Sequence, residues 1–348
     1  MIYKSRKRKI EEEEEEREEV EGIEVVKKLK YLVLEICDDR DIFKEQKEEM
    51  IERATKMALQ TYSVIDRSCN KVLMGKLFWK SIVLPSILLG AGLMDFTKDQ
   101  IERLQRVENS VYRKILGARG DTTIVTMLGE IGASRMESRI IQERLMITKC
   151  MMETPIELVR EVLRSVRENK FNKWSIRLKE YMGEAKISDE DLSEMSKAEI
   201  KEKVRERDTE RWREEIEKKP RASLYKEYKG EIKEEKIYDN TYASELLFGA
   251  RANSLNLNDL KKHKGGKTVC DVCGEEEEDL VHFIVRCKGL EDRRDKDLIA
   301  KFKGDDDRST AGKILFETRD NDVERVKRML RNLWSSRKIK GAVDKGVG

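Results

Sequence analysis

At 348 residues the chain is long enough for two or three domains. Charged residues make up 41% of it, against about 25% in an ordinary globular chain, which excludes one large compact core and points to an elongated, mainly α-helical protein. Its net charge of +3 says little as a sum, because the sign is segregated along the chain.

The first segment, residues 1–21, runs from a basic cluster, Lys4-Ser5-Arg6-Lys7-Arg8-Lys9, into Glu11–Glu16. Such blocks of like charge read as a solvated, disordered tail before they read as an import or RNA-contacting patch. Residues 22–135 come next. Two β-like runs, Ile23–Val26 and Tyr31–Ile36, are expected to pair as one short N-terminal hairpin. From Lys44 the period becomes helical, with Met50, Ala54, Met57, Ala58, Thr61 and Ile65 on one stripe. Ser81–Met94 is the longest stretch without a charge, fourteen residues. A membrane span needs about 20, so a buried helix is expected there and no membrane partner.

Thr97 and Gln100 form a capping box that opens a helix along Ile101, Leu104, Val107, Val111 and Ile115, closed by Gly117. In the segment 136–260, Thr154-Pro155-Ile156-Glu157 combines an N-cap, a proline at the first helical position and a reciprocal glutamate. Ser196 and Glu199 start another helix, expected to run to about Pro220. Trp174, Tyr181, Trp212, Tyr225, Tyr228, Tyr238 and Tyr242 read as core anchors between charged helices, with a base-stacking platform as the other use.

Residues 261–303 carry the most informative pattern. Cys270, Cys273, His282 and Cys287 follow the spacing Cys-x2-Cys-x8-His-x4-Cys. Three thiols and one imidazole complete a tetrahedral ligand set, so a structural Zn2+ in a closed site is expected. Lys261, Lys262, Lys264 and Lys267 precede this knuckle and Arg286 and Lys288 flank its last ligand, and these cations are expected to contact nucleic-acid phosphates. Residues 304–348 end the chain with an apolar stripe of Val323, Val326, Leu330 and Leu333. Eight basic residues against Asp344 give +7 between Arg325 and Gly348. That basic helix, with Arg325, Arg328 and Arg331, suits nucleic acid, a protein partner or an anionic surface.

Catalysis finds no support. Asp38 and Asp39 after a β run resemble a polymerase metal turn, but two-metal chemistry needs a further carboxylate on an earlier strand. Asp38, Asp39 and Asp41 therefore read as turn residues and a helix N-terminus. No phosphate-cradling glycine loop occurs, and with His282 on the metal, His263 is left alone in a lysine loop. No small-molecule substrate is expected. Cys37, Cys69 and Cys150 show no pairing rhythm and no secretory leader precedes them, so reduced thiols and an intracellular setting, cytoplasmic or nuclear, are expected.

The knuckle belongs to a longer pattern. Tyr31-Leu32 before a strand is followed by Lys76-Leu77-Phe78-Trp79-Lys80-Ser81-Ile82-Val83-Leu84-Pro85-Ser86-Ile87-Leu88-Leu89-Gly90. Then come Ile101–Arg106, Tyr112–Gly117 and Leu128-Gly129-Glu130-Ile131-Gly132. In order and spacing these runs, over roughly residues 22–300, resemble the post-palm region of non-LTR (LINE-type) retrotransposon reverse transcriptases. Val33 and Leu89 stand where that family usually has glycine and tyrosine. The resemblance implies that the hairpin ends a palm, that the helices form a thumb, and that fingers, palm and catalytic aspartates are missing. It implies a non-catalytic fragment whose remaining parts grip RNA or DNA. From the residues alone the rival is a helical interaction protein in which zinc merely staples the fold.

Overall fold

The structure, a computed structural model, describes residues 19–20, 23–24, 26–31 and 34–343, with side-chain placements for 26–30, 34–262 and 265–339. The Lys4–Lys9 cluster and Glu11–Glu16 lie outside the described residues.

The chain is mainly helical, as its composition requires, and among the described residues strands occur only in the N-terminal region. The expected hairpin is present but uses different partners. Strand β3 (Lys28–Tyr31) pairs antiparallel with β4 (Leu34–Cys37), Lys28 facing Cys37. Ile23 and Glu24 (β2) pair instead with Glu19 and Val20 (β1).

The chain forms two compact units that interleave in sequence. Five consecutive segments drawn from composition follow charge runs; the units follow packing. Unit 1 holds the described residues through Leu59, then Ser81–Val107 and Met136–Val204; unit 2 holds Gln60–Lys80, Glu108–Arg135 and the described residues from Arg205 on.

Helix α1 (Lys44–Arg67) buries Met50, Ala54, Ala58, Thr61 and Ile65 of the expected stripe, with Met57 partly buried. Its N-terminus is built by the aspartates: Asp41 accepts from the Phe43 amide at 3.3 Å and binds the buried Lys47 ammonium, and Asp39 pairs with Lys44 at 3.2 Å. Helix α2 (Lys71–Phe78) is capped by Asn70, whose side chain accepts from Leu73 N. The uncharged stretch that follows is not one helix. It breaks into a wide π-type turn at Trp79–Val83, helix α3 (Leu84–Leu88) with Pro85 in its first turn, and a 3-10 turn at Ala91–Leu93. Gly90, at φ 76°, ends α3 in the left-handed region that other residues avoid. Ile82 and Leu89 remain half exposed, so the stretch is only partly buried.

Helix α4 (Lys98–Leu116) begins with the capping box as expected: Gln100 N donates to Thr97 Oγ1 at 3.2 Å and Thr97 N to Gln100 Oε1 at 3.0 Å. Helices α5 (Ile124–Ile131) and α6 (Met136–Glu153) follow. Helix α7 (Glu157–Glu168) starts later than the Thr-Pro signal predicts. Thr154 Oγ1 accepts from Ile156 N at 3.4 Å, so the threonine closes a local turn and Ile156 takes the cap position with no side-chain bond. Helix α8 (Lys173–Glu184) is capped by Asn172, and α9 (Asp189–Glu194) by a Ser188–Asp191 box absent from the sequence expectations. Helix α10 (Lys197–Glu217) has both bonds of the Ser196–Glu199 box and stops short of Pro220.

In unit 1, Leu145, Leu178, Tyr181, Met182, Ile187, Leu192, Ile200 and Val204 form one core cluster. Trp174 Nε1 donates to Gly92 O at 2.7 Å and the buried Arg144 to Met94 O at 2.8 Å, fixing the Ala91–Leu93 turn on α6.

Unit 2 is completed by α11 (Ser223–Tyr228), α12 (Tyr242–Arg251), α13 (Lys296–Lys301), α14 (Asp307–Phe316) and α15 (Asn321–Val343). Its core has polar centres. Glu108, fully buried, accepts from Trp79 Nε1 at 3.1 Å and Tyr112 OH at 2.6 Å. Glu130, on α5, is buried against Arg251 of α12 at 3.1 Å and accepts from Tyr238 OH. Arg251 also donates to Leu315 O at 2.9 Å and lies 4.4 Å from the Phe316 ring centre. Burial opposes its charge, but Glu130 and the groups around it hold its pKa above the usual arginine value. Trp212 and Tyr225 meet edge-on at 6.2 Å, and Tyr225 meets Phe316 at 5.7 Å. Tyr181, Trp212, Tyr225 and Tyr238 are buried core anchors as expected, Trp174 and Tyr228 are partly buried, and half of Tyr242 is exposed.

Candidate metal centre

The four predicted ligands converge within unit 2. Their ligand atoms all lie within 4.8 Å of one another, with Cys270, His282 and Cys287 buried. Backbone pairing shapes the first half of the site. Val269 bridges to Glu277, Cys270 N donates to Glu276 O at 2.8 Å, and Glu278 N to Thr268 O at 2.9 Å. Between these rungs the chain turns through Gly274, at φ 70°, whose amide returns to Cys270 O at 3.0 Å. Val272 N points at Cys270 Sγ, 3.4 Å away, as expected of a knuckle whose amides face sulfur. The second half is a wide π-type turn, His282–Arg286, started by Asp279, which accepts from His282 N at 2.6 Å. Cys287 N donates back to His282 O at 2.8 Å, and a 3-10 turn, Lys288–Arg293, leads away.

Two of the spacings match the edges of a tetrahedral metal site. Bonds of about 2.3 Å to sulfur and about 2.0 Å to nitrogen in a tetrahedron give edges of about 3.8 Å between sulfurs and about 3.5 Å between sulfur and nitrogen. Cys270 Sγ and Cys287 Sγ are 3.8 Å apart, and Cys273 Sγ and His282 Nε2 are 3.4 Å apart. His282 Nδ1 lies 3.1 Å from a Glu276 carboxylate oxygen. With Nδ1–H donating there, the Nε2 lone pair faces the sulfurs, the orientation that metal-bound histidines have. Contact with Cys287, and then burial, pushes the Cys270 thiol up, and the same contact holds Cys287 down. Metal binding requires these thiols to lose their protons.

Glu276→Gln keeps the shape but weakens the acceptor that orients His282. Metal affinity is expected to fall by about 10- to 100-fold. A competition titration with a chromogenic chelator checks this, and an unchanged affinity would remove Glu276 from the site.

No protein-family model, curated protein or solved structure matches this chain. The site is therefore read from its own chemistry.

The acids inside the knuckle do not form the repulsive patch that their run suggests. Each has a partner. Glu275 pairs with Lys288 at 2.8 Å, Glu276 and Asp279 with Arg286 at 3.5 and 3.3 Å, and Glu277 with Lys262 at 3.3 Å. Glu278 is 1% exposed and takes a fork of two 2.6 Å bonds from Arg337 of α15, with Asn258 N as a third donor at 2.9 Å. Its carboxylate also reaches to 3.8 Å from Cys270 Sγ. Phe283 of the π-type turn meets Trp334 of α15 edge-on at 5.9 Å. The knuckle is thus the seat of α15, and Arg337 and Glu278 are the functional pair that sequence reasoning missed. Fifty-nine residues separate them, so no local spacing announces the pair.

The predicted nucleic-acid contacts divide accordingly. Lys262, Arg286 and Lys288 are held by knuckle acids, Lys267 by Asp271 at 3.2 Å, and Lys261 by Asn258 Oδ1 at 2.5 Å. The Lys264 and His263 side chains lie outside the described ones. Arg325 is forked by Asp295 at 2.6 and 2.9 Å. Arg328 and Arg331 are exposed and make no ion pair among the described residues.

Asp259, beside the site, has a buried carboxyl oxygen with no hydrogen-bond partner. Burial, with Asp279 nearby, pushes its pKa up to about 6. Between its ordinary value and about 6, the folded chain keeps a proton that the unfolded chain has lost, so stability falls as pH rises through that window. Asp259→Asn is expected to raise the melting temperature more at about pH 7.5 than at about pH 4.5. Equal shifts at the two pH values, measured by scanning calorimetry, would contradict this.

Among the described residues no helix is long and apolar enough to cross a membrane.

Proposed function

We propose that this chain is a non-catalytic, zinc-stapled helical protein that binds nucleic acid, akin to the post-palm region of the non-LTR reverse transcriptases that its sequence resembles. The observation that carries the reading is the convergence of Cys270, Cys273, His282 and Cys287, with Glu276 orienting the imidazole and α15 seated on the same loop through Glu278. Four protein ligands fill a tetrahedron and leave no open position for substrate, which marks a structural metal. Affinity for RNA or DNA would then come from arginine and lysine meeting phosphates, with little sequence preference.

A second reading, a helical interaction protein with zinc as a staple only, draws on the neutralised knuckle cations. A salt titration of binding to a short RNA and a DNA duplex separates the two. Affinity that falls steeply and log-linearly with salt supports nucleic-acid binding. No binding at low salt rejects it in favour of the staple.

A further inference from the structure

Helix α15 places its apolar stripe inward, with Val323, Val326, Leu330 and Leu333 buried. Several of its charged groups are already paired: Arg325 with Asp295, Lys327 with Asp239 and Glu324, and Arg337 with Glu278. Exposed, besides Asn321, Glu324 and Ile339, is one line of residues three and four apart, Arg328, Arg331, Ser335 and Lys338, with Asn332 beside it. At 1.5 Å per residue, Arg328 to Lys338 spans roughly 15 Å, long enough to follow a strand rather than hold one phosphate. Glu324, the acid at the start of this face, is engaged with Lys327. The line ends on an aromatic group. The Lys338 ammonium lies 5.6 Å from the Tyr242 ring centre and 5.9 Å from that of Trp334, and Tyr242 is 49% exposed.

We infer that this outward face is a single-strand nucleic-acid site, in which Arg328, Arg331 and Lys338 meet successive phosphates and Tyr242 stacks a base. The inference rests on the nucleic-acid reading above and moves its contact surface from the knuckle to α15. Charge complementarity selects a polyanion, since among the described residues the line holds three cations with no carboxylate at ion-pair distance, Asp295 acting on Arg328 only from further away. The exposed ring selects a single strand, because a duplex keeps its base faces covered. Ser335 and Asn332 add neutral donors for phosphate oxygens.

Fluorescence anisotropy of the zinc-loaded full chain with labelled single-stranded RNA and DNA of the same sequence, and with the duplex, tests this. Replacing Arg328, Arg331 and Lys338 together with alanine is expected to reduce the salt slope by about two, at roughly 0.7 for each phosphate left without its cation. Arg328→Lys with Arg331→Lys should restore most of it. Tyr242→Ala is expected to weaken single-strand binding about tenfold with the slope unchanged, and to leave duplex binding as it was. Lys262→Ala with Lys288→Ala should change neither. A parent chain that binds no oligonucleotide at low salt overturns the nucleic-acid reading itself. A parent that binds while the triple variant keeps its full slope leaves that reading standing and overturns this one. So does preference for anionic phospholipid vesicles over every oligonucleotide. Circular dichroism of each variant confirms the helices.

Discussion

Removing the metal is expected to unfold the knuckle and to release the end of α15 while the helices before residue 250 persist. Structural zinc contributes on the order of 10 kcal/mol to the folding of small metal-dependent modules. Besides its backbone rungs, the loop from Thr268 to Cys287 is held by the Glu278–Arg337 fork and by the buried Leu280, Phe283 and Ile284, contacts that depend on the loop keeping its shape. Loosening that loop removes Glu278 from Arg337 and Phe283 from Trp334. His282→Ala removes one ligand of four, opens the site to water and should act in the same direction. Because the thiols must lose protons to bind, occupancy falls as pH drops. Hydrogen exchange read by peptide mass should show diminished protection over residues 268–290 and 331–339, and full protection over α4 and α6. Glu278→Gln in the metal-loaded protein separates the latch from the metal. It leaves the ligands intact yet strips the Arg337 guanidinium of its counter-charge, at a cost of about 3 kcal/mol or more. Exchange at 331–339 should then rise with metal still bound. Uniform exchange across the chain on chelation would mean that the metal does not act locally.

Arg251→Met is expected to be the most destabilising single change away from the metal. It leaves Glu130, which is fully buried, without its cation, and breaking one side of such a pair costs about 3–5 kcal/mol. Glu130→Met on its own leaves the guanidinium with Glu235, 3.6 Å away, as its remaining carboxylate and should cost less. The double variant removes both charges from the interior and should recover much of the loss, because replacing a whole buried pair by apolar groups is close to neutral. Urea unfolding of the four species closes the cycle. A double variant as unstable as the sum of the two singles would show that Glu130 and Arg251 act independently.

The ligand set was readable because all four residues fall within eighteen positions and their spacing is itself the chemistry. The capping boxes at Thr97 and Ser196 were readable for the same reason, since both bonds close within three residues. Thr154-Pro155 misled because one hydroxyl can serve either a turn or a helix, and its bond to Ile156 N settles that competition locally. The break at Ser81–Met94 was hidden by composition: an uncharged run does not say whether it is straight, and Gly90 and Pro85 divide it. Nothing local could announce the pairing of Arg337 with Glu278, or of Arg251 with Glu130 across 121 residues. Those pairs decide which charges are available. Lys262, Arg286 and Lys288 look free in the sequence and are neutralised by the fold, whereas Arg328 and Arg331 stay open.

The most direct measurement is native mass spectrometry of the purified chain, before and after chelation, followed by cobalt titration of the metal-free protein. One zinc per chain, removed by the chelator, is expected, with an intense visible cobalt spectrum of a tetrahedral thiolate–imidazole site that weakens in His282→Ala. A chain that carries no metal and takes up none, or a His282→Ala variant that holds it as tightly as the parent, would contradict the account.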